Sequence, residues 1–292
     1  MQGHVLTLHS GASPLTAKAV GDCALTGVHG KFVKCHLLPR ALTLPRPGGR
    51  RFPQLGEGLR PTKRLDSWYD SQLVTAEGEA VLAELDAFGI AALRKHKLLW
   101  QSWGPMVSFE GADYLPFPAE PHGMRLIDFE RPQMLRRFLL SLLWRAAATS
   151  RFEFKEVAVK ASDLRRLRSA TLGKWTPPES FFPATLVQLT SAGPPHNLAP
   201  IKQMKRIPTL PGAKGGEVPI FRFYLDGLIV HFHLNPTAER VDGMQPFLIG
   251  KERQSVVSTV RYEASWQLEN LDTIVEWTRR KFPAELAKSG GA

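Results

Sequence analysis

The stretch from Glu130 to Ala146 constrains this chain most. Pro132 stands at an early helical position, where its missing N–H costs no hydrogen bond. After it, Met134, Leu135, Phe138, Leu139, Leu142, Leu143 and Ala146 recur at helical spacing. So wide an apolar face belongs in the interior, which makes this helix the expected centre of a core. It is expected to end near Thr149-Ser150. Its greasiest run, Phe138 to Trp144, is broken by Ser141. That run is far shorter than the roughly 20 residues a membrane helix needs, so no membrane span is expected.

What packs around that helix reads mainly as strands. Ile220–Leu225 and Leu228–Leu234 flank Asp226-Gly227, a strong two-residue hairpin signal. Ala184–Thr190 reads as another strand and Phe154–Val159 as a further candidate. Ser162-Asp163 opens a short basic helix through Leu172, stopped by Gly173. A last amphipathic helix starts at Asn270 or Asp272. Nearer the N-terminus, Lys31–Lys34 reads as a short strand. Thr75 reads as an N-cap, with Glu77 and Glu79 near the positive end of the helix dipole. Val81, Leu82, Leu85 and Phe88 continue that helix, and Gly89 is a point where it could bend or split. Gly104–Gly123 holds four prolines and reads as a connecting loop. The expected division is therefore a module over 1–123 and a larger α+β domain over 124–292.

With 43% hydrophobic and 22% charged residues, a chain of 292 residues can bury a substantial core. Only Cys23 and Cys35 occur, so no disulfide framework is implied and a reducing, cytoplasmic setting fits. Residues 1–10 show no signal-peptide pattern. No phosphate loop, nucleophile elbow or dinucleotide-binding fingerprint is present. The net charge of +11 favours polyanions. It is unevenly spread: Lys31 to Arg64 carries nine basic residues against Glu57 alone, in a proline- and glycine-rich stretch expected to be a long basic loop. Candidate contacts to DNA or RNA are Lys31, Lys34, Arg40, Arg50, Arg51, Lys63 and Arg64. To these the basic helix adds Arg165 and Arg168. A solvated helix face is the plain alternative for the latter pair.

Cys23-Ala-Leu-Thr-Gly27 is followed by Lys31-Phe-Val-Lys-Cys-His-Leu-Leu-Pro-Arg40. A Cys turn, a short strand and a His-x-x-Pro step resemble the opening of HNH-type nuclease segments. There the His is the general base, and a carboxylate and a second His hold a divalent metal. Phosphodiester hydrolysis needs both an activated water and a neutralised leaving oxyanion. The resemblance implies His36 as catalytic base, with metal ligands drawn from Cys35, Asp70 and Glu77. A thiolate beside carboxylates suits a divalent transition metal better than magnesium. The plain alternative makes Cys23 and Cys35 buried apolar side chains and gives His36 a structural hydrogen bond.

More broadly, the chain resembles a family of largely uncharacterised bacterial proteins often labelled HNH-like. The matching residues are Cys23, Gly27, Lys34, His36–Pro39, Tyr69-Asp70 and Leu140-Ser-Leu-Leu-Trp-Arg-Ala146, followed by Leu164–Leu172 and Phe221–Leu234. This implies a shared, treble-clef-like N-terminal fold. The chain departs from the family where zinc would bind. Thr26 replaces one Cys, and Glu77-Gly78-Glu79 lies where a second Cys pair would fall, so structural zinc is not expected.

Two further segments carry chemistry. Arg145, just after an apolar run, must meet an acid, a carbonyl or a phosphate if buried, and an internal ion pair is the favoured reading. His231 and His233 share one strand face at metal-site spacing, but Arg222 should stand opposite His231, which argues against a cation there. The sequence is thus read as an α+β nucleic-acid-binding protein, with metal-dependent nuclease activity as the catalytic form of that reading. Phage defence or mobile-element biology is the analogy such modules suggest. The alternatives are a non-catalytic interaction protein that keeps the fold without the metal site, and a small-molecule enzyme.

Overall fold

In the computed structural model the described residues are 19–43, 52–55, 62–64, 67–207 and 216–283. They form an α+β fold with six α-helices and three sheets. Helix α3, Pro132–Ala148, lies where the leucine-rich stripe places it, with Pro132 in its first turn. Phe138, Leu139, Leu142 and Leu143 are fully buried.

Before α3 come β1 (Val20–Asp22), β2 (His29–His36), α1 (Arg40–Thr43), β3 (Phe52–Leu55), β4 (Thr62–Arg64), β5 (Tyr69–Thr75), α2 (Ala76–Lys95), β6 (Tyr114–Pro116) and β7 (His122–Asp128). After it come α4 (Ala161–Thr171), β8 (Ala184–Leu189), β9 (Asn197–Leu198), β10 (Ile201–Ile207), β11 (Gly216–Leu225), β12 (Leu228–His233), α5 (Ala238–Gly243), β13 (Gln254–Val260) and α6 (Trp266–Lys281). The large sheet has the order β10-β11-β12-β8-β13-β7-β6. Its pairs are antiparallel except for parallel β8–β13, which makes it mixed.

One face of this sheet meets α3. Phe221, Phe223, Val230 and Phe232 join the leucines of α3 and Leu82 and Leu85 of α2 in one continuous core. The other face carries Tyr224, Ile229, Leu189 and Val260, which pack with Trp100, Tyr262 and, from α6, Leu271 and Ile274. Strand period two sends successive side chains of β11 and β12 to these two layers. Asp226 and Gly227 turn the hairpin with φ of 48° and 86°, as a tight primed turn requires. The Asp226 carbonyl accepts from the Trp100 N–H, and a Cβ on Gly227 would stand 2.5 Å from the Trp100 ring.

Several local expectations are corrected. Gly89 neither bends nor splits α2, which runs unbroken through it. A Cβ at Gly89 would lie 2.2 Å from the Phe138 ring, so the glycine lets α2 and α3 approach closely. Phe154–Val159 is not a strand, because Phe152–Phe154 forms a single 3-10 turn and Phe154 and Val157 are buried as loop anchors. Helix α6 begins at Trp266, earlier than Asn270, because the Ser265 hydroxyl caps it by accepting from the Leu268 N–H. The basic stretch holds α1, β3 and β4, and β3 pairs with distant β9. Residues 44–51 and 56–61 of the stretch, Arg50 and Arg51 among them, lie outside the described residues. The stretch expected to connect two modules is itself paired: Gly123 stands in β7 opposite Pro116 and Thr259. The core likewise runs without a break from Cys23 to Val257.

These contacts set the cost of two changes. Leu139→Ala is expected to destabilise by about 2–5 kcal/mol through lost burial plus a cavity. Gly89→Ala gains about 1 kcal/mol of helix propensity but overpacks Phe138 by about 1–3 kcal/mol. Chemical denaturation should therefore show net destabilisation, with Phe138→Leu partly rescuing it in the double variant. Stabilisation by Gly89→Ala alone would mean that α2 and α3 stand further apart.

Candidate nucleic-acid interface

Strand β2 carries Lys31, Lys34, Cys35 and His36, and Arg40 opens α1 just beyond it. Lys31, Lys34 and Arg40 are exposed. The Lys34 ammonium stands 4.1 Å from the Tyr69 ring centre, and the half-buried His36 ring meets Tyr69 edge-on. Lys63 and Arg64 lie on β4.

The metal ligands expected from the resemblance do not assemble. Among the described residues, no three His, Cys, Asp or Glu side chains form a group that could hold a metal ion. Cys35 and Asp70 do face one another in the β2–β5 register, but their side chains are committed elsewhere. Burial drives the Cys35 thiol far above its usual pKa, and Glu79 and Asp86 nearby add to the shift. A thiol held protonated is a poor ligand. The Asp70 carboxylate accepts from the Thr149 hydroxyl at 2.6 Å and from the Gln72 N–H at 2.8 Å. Glu77 is exposed on the first turn of α2. Beside these groups, Arg145 is buried and forks onto Asp86 at 2.6 and 3.0 Å. It also donates to the His36 carbonyl at 3.1 Å, so this arginine serves the fold and stands as the expected internal ion pair.

A more open arrangement lies on the far side of α3. Two adjoining clefts of about 860 and 640 Å³ share Trp175 and Pro178. Arg165, Arg166 and Ser162 of α4 line the first. Arg131, Arg137 and Lys251 line the second. Arg165 and Arg166 point to solvent because Leu167 takes the buried side of α4. Asp163 and Glu179 are the acids of these walls. The Arg166–Asp163 approach is a loose 3.9 Å across an exposed surface, where such a pair contributes little. Arg136 is buried beneath the ridge between the clefts. It donates to the carbonyls of Pro177, Pro178 and Phe181 at 2.6–3.0 Å. Burial pushes its pKa down to about 10, so it remains a cation at neutral pH and braces the loop that carries Trp175. Arg168 is turned away from the clefts and donates to the Leu25 carbonyl, tying α4 to the β1–β2 region.

The His231–His233 pair was expected to face an arginine, and Arg222 does pair with His231 across the hairpin. All three are buried on the sheet face that meets α6, with Lys205 of edge strand β10 on the same face. Arg222 Nη2 donates to Gln267 Oε1 at 3.0 Å, and the Gln267 amide approaches His196 Nε2 at 2.8 Å. His196 Nδ1 reaches the Pro194 carbonyl at 2.7 Å, and its ring stacks on Tyr224. Among the described residues neither Arg222 nor Lys205 has an ion-pair partner.

Comparison with known proteins adds no name: no protein family, curated protein or solved structure matches the chain. Sequence reasoning singled out Arg165 among the cleft residues but missed Trp175, Arg131, Arg137 and Lys251. The visible signal was the Lys174-Trp175-Thr-Pro-Pro178 loop after a basic helix. Which cations share its surface depends on tertiary packing.

The buried histidines make a pH prediction. Burial lowers the pKa of His196 and of His233 from 6.5 to about 4. The unfolded chain therefore takes up these protons first as pH falls. The contribution of these histidines to stability should be full above about 6.5 and should decline as pH drops from there toward 4. Thermal melts at pH 7.5 and 5 should differ, and His233→Gln should reduce the difference. Equal melting of the wild type at both values would mean that these imidazoles are solvated.

Proposed function

We propose that the protein binds the phosphate backbone of single-stranded DNA or RNA along the paired clefts around Trp175. The observation that carries this reading is the run of exposed cations, Arg165 and Arg166 on one side and Arg131 and Lys251 on the other, flanking a half-buried indole. A basic groove tracks the backbone, and an aromatic face accepts a base without regard to its identity. The net charge of +11 would steer a polyanion toward it. Lys31, Lys34 and Arg40 form a second basic surface for a longer strand. The reading stops at binding, because Cys35, Asp70 and Glu77 do not converge with His36. It is therefore nearer to the interaction protein than to the nuclease among the sequence-based alternatives.

Fluorescence anisotropy with a labelled single-stranded oligonucleotide at two salt concentrations tests this. Affinity should fall steeply with added salt as counterions are released. Arg165→Ala with Arg166→Ala should weaken all sequences about equally. Trp175→Ala should cost roughly 1–3 kcal/mol on single strands through lost stacking and much less on duplex. His36→Ala should leave binding unchanged. Salt-independent binding, or binding indifferent to both cleft variants, would remove the clefts from the reading.

A further inference from the structure

Donor and acceptor arithmetic at His231 leads beyond nucleic acid. Its imidazole lies between two basic side chains: Arg222 Nη1 is 3.5 Å from Nε2, and Lys205 Nζ is 3.3 Å from Nδ1. A guanidinium can only donate, so Nε2 must accept. A neutral imidazole has one acceptor and one donor nitrogen, so Nδ1 carries the proton. That N–H points at Lys205 Nζ, which must then accept. An ammonium has no lone pair, so only the free amine completes the arrangement.

The second branch from Arg222 fixes the same direction. Arg222 donates to Gln267, the Gln267 amide to His196 and His196 to the Pro194 carbonyl. Every step is satisfied with Arg222 charged and both imidazoles neutral. The remaining titratable groups facing Lys205 among the described residues include no carboxylate. His231 and His233 come from β12, Arg222 from β11, and Arg240 of α5 acts on His233. No carboxylate of the described residues pairs with Lys205.

We infer that Lys205 is a nucleophilic amine that captures small aldehydes and ketones as imines on strand β10 of the large sheet. The lone pair of Nζ leaves its hydrogen bond with His231 and attacks the carbonyl carbon. The carbonyl oxygen departs as water, taking the two amine hydrogens with it. The imine nitrogen keeps one lone pair and accepts again from the Nδ1–H of His231. Lys205 is half-buried on β10, which among the described residues pairs with β11 alone. Burial first, and then the Arg222 charge, lower its pKa from 10.5 to about 8. Burial also lowers Arg222, but only to about 9, so as Lys205 gives up its proton near pH 8 the guanidinium still donates.

The test is reductive labelling of the full chain with glyoxylate and sodium cyanoborohydride over pH 6.5–10.5, read residue by residue by peptide mass spectrometry. At neutral pH Lys205 should label roughly 100-fold faster than exposed Lys174 and Lys251, following the larger free-amine fraction. Its pH midpoint should lie about two units below theirs. Lys205→Met should abolish the fast adduct. His231→Phe, which removes the Nδ1–H donor, should raise the midpoint. A Lys205 midpoint equal to those of the exposed lysines would overturn the proposal, and so would a Lys205 that stays unlabelled while they react. If His231→Phe does not fold, the wild-type profile decides by itself. The outcome is independent of the clefts, which lie on the α4 side of the molecule.

Discussion

Arg145 is the charge around which the core is organised. It is 1% exposed, on a helix whose neighbouring side chains are leucine, phenylalanine and tryptophan. Burying a guanidinium is tolerable only if its donors are met. Asp86 takes two of them from α2, the His36 carbonyl takes one from the end of β2, and Ser141 takes another from α3 itself. One side chain thereby sets three elements against each other. Loss of Asp86 alone would leave an uncompensated buried charge, the situation that costs about 3–5 kcal/mol in other proteins. The close α2–α3 approach at Gly89 and Phe138 brings Asp86 within reach.

The same constraint acts on the Cys35-His36 segment and on Asp70 beside it. Where a hydrolytic site would turn its groups outward, this segment turns them in. The His36 carbonyl is spent on Arg145, the Cys35 thiol is sealed beside Glu79, and Asp70 is occupied by Thr149. The segment is a joint between the small sheet and α3. Function is then sought where cations are not consumed by the fold, and two places qualify. One is open, around Trp175, where Arg131, Arg165, Arg166 and Lys251 are exposed. The other lies on the sheet face that meets α6, where half-buried Lys205 and the buried His231 and Arg222 share a directed hydrogen-bond chain. Arg136 and Arg222 show the difference in kind. Arg136 is satisfied by three carbonyls, whereas Arg222 keeps its Nε without a partner among the described residues.

Local rules made α3 and the β11–β12 hairpin legible from residue order alone. An apolar stripe of period 3.6 can be buried on only one side, and Asp-Gly between two β-branched and aromatic runs has few other conformations. The opposition of Arg222 and His231 followed from counting outward from that turn, and the internal ion pair of Arg145 from its place after an apolar run. Strands β7, β10 and β13 were not legible. Their partners lie far away in the chain, and Lys202, Lys205 and Arg206 read as polar until β11 pairs with them. The tertiary structure alone chose Asp86 for Arg145, 59 residues away, and brought Lys205 to His231, 26 residues on. It also set Trp175 among cations from three segments, at α3, α4 and Lys251. Such meetings depend on which surfaces are buried together, and no local period encodes that.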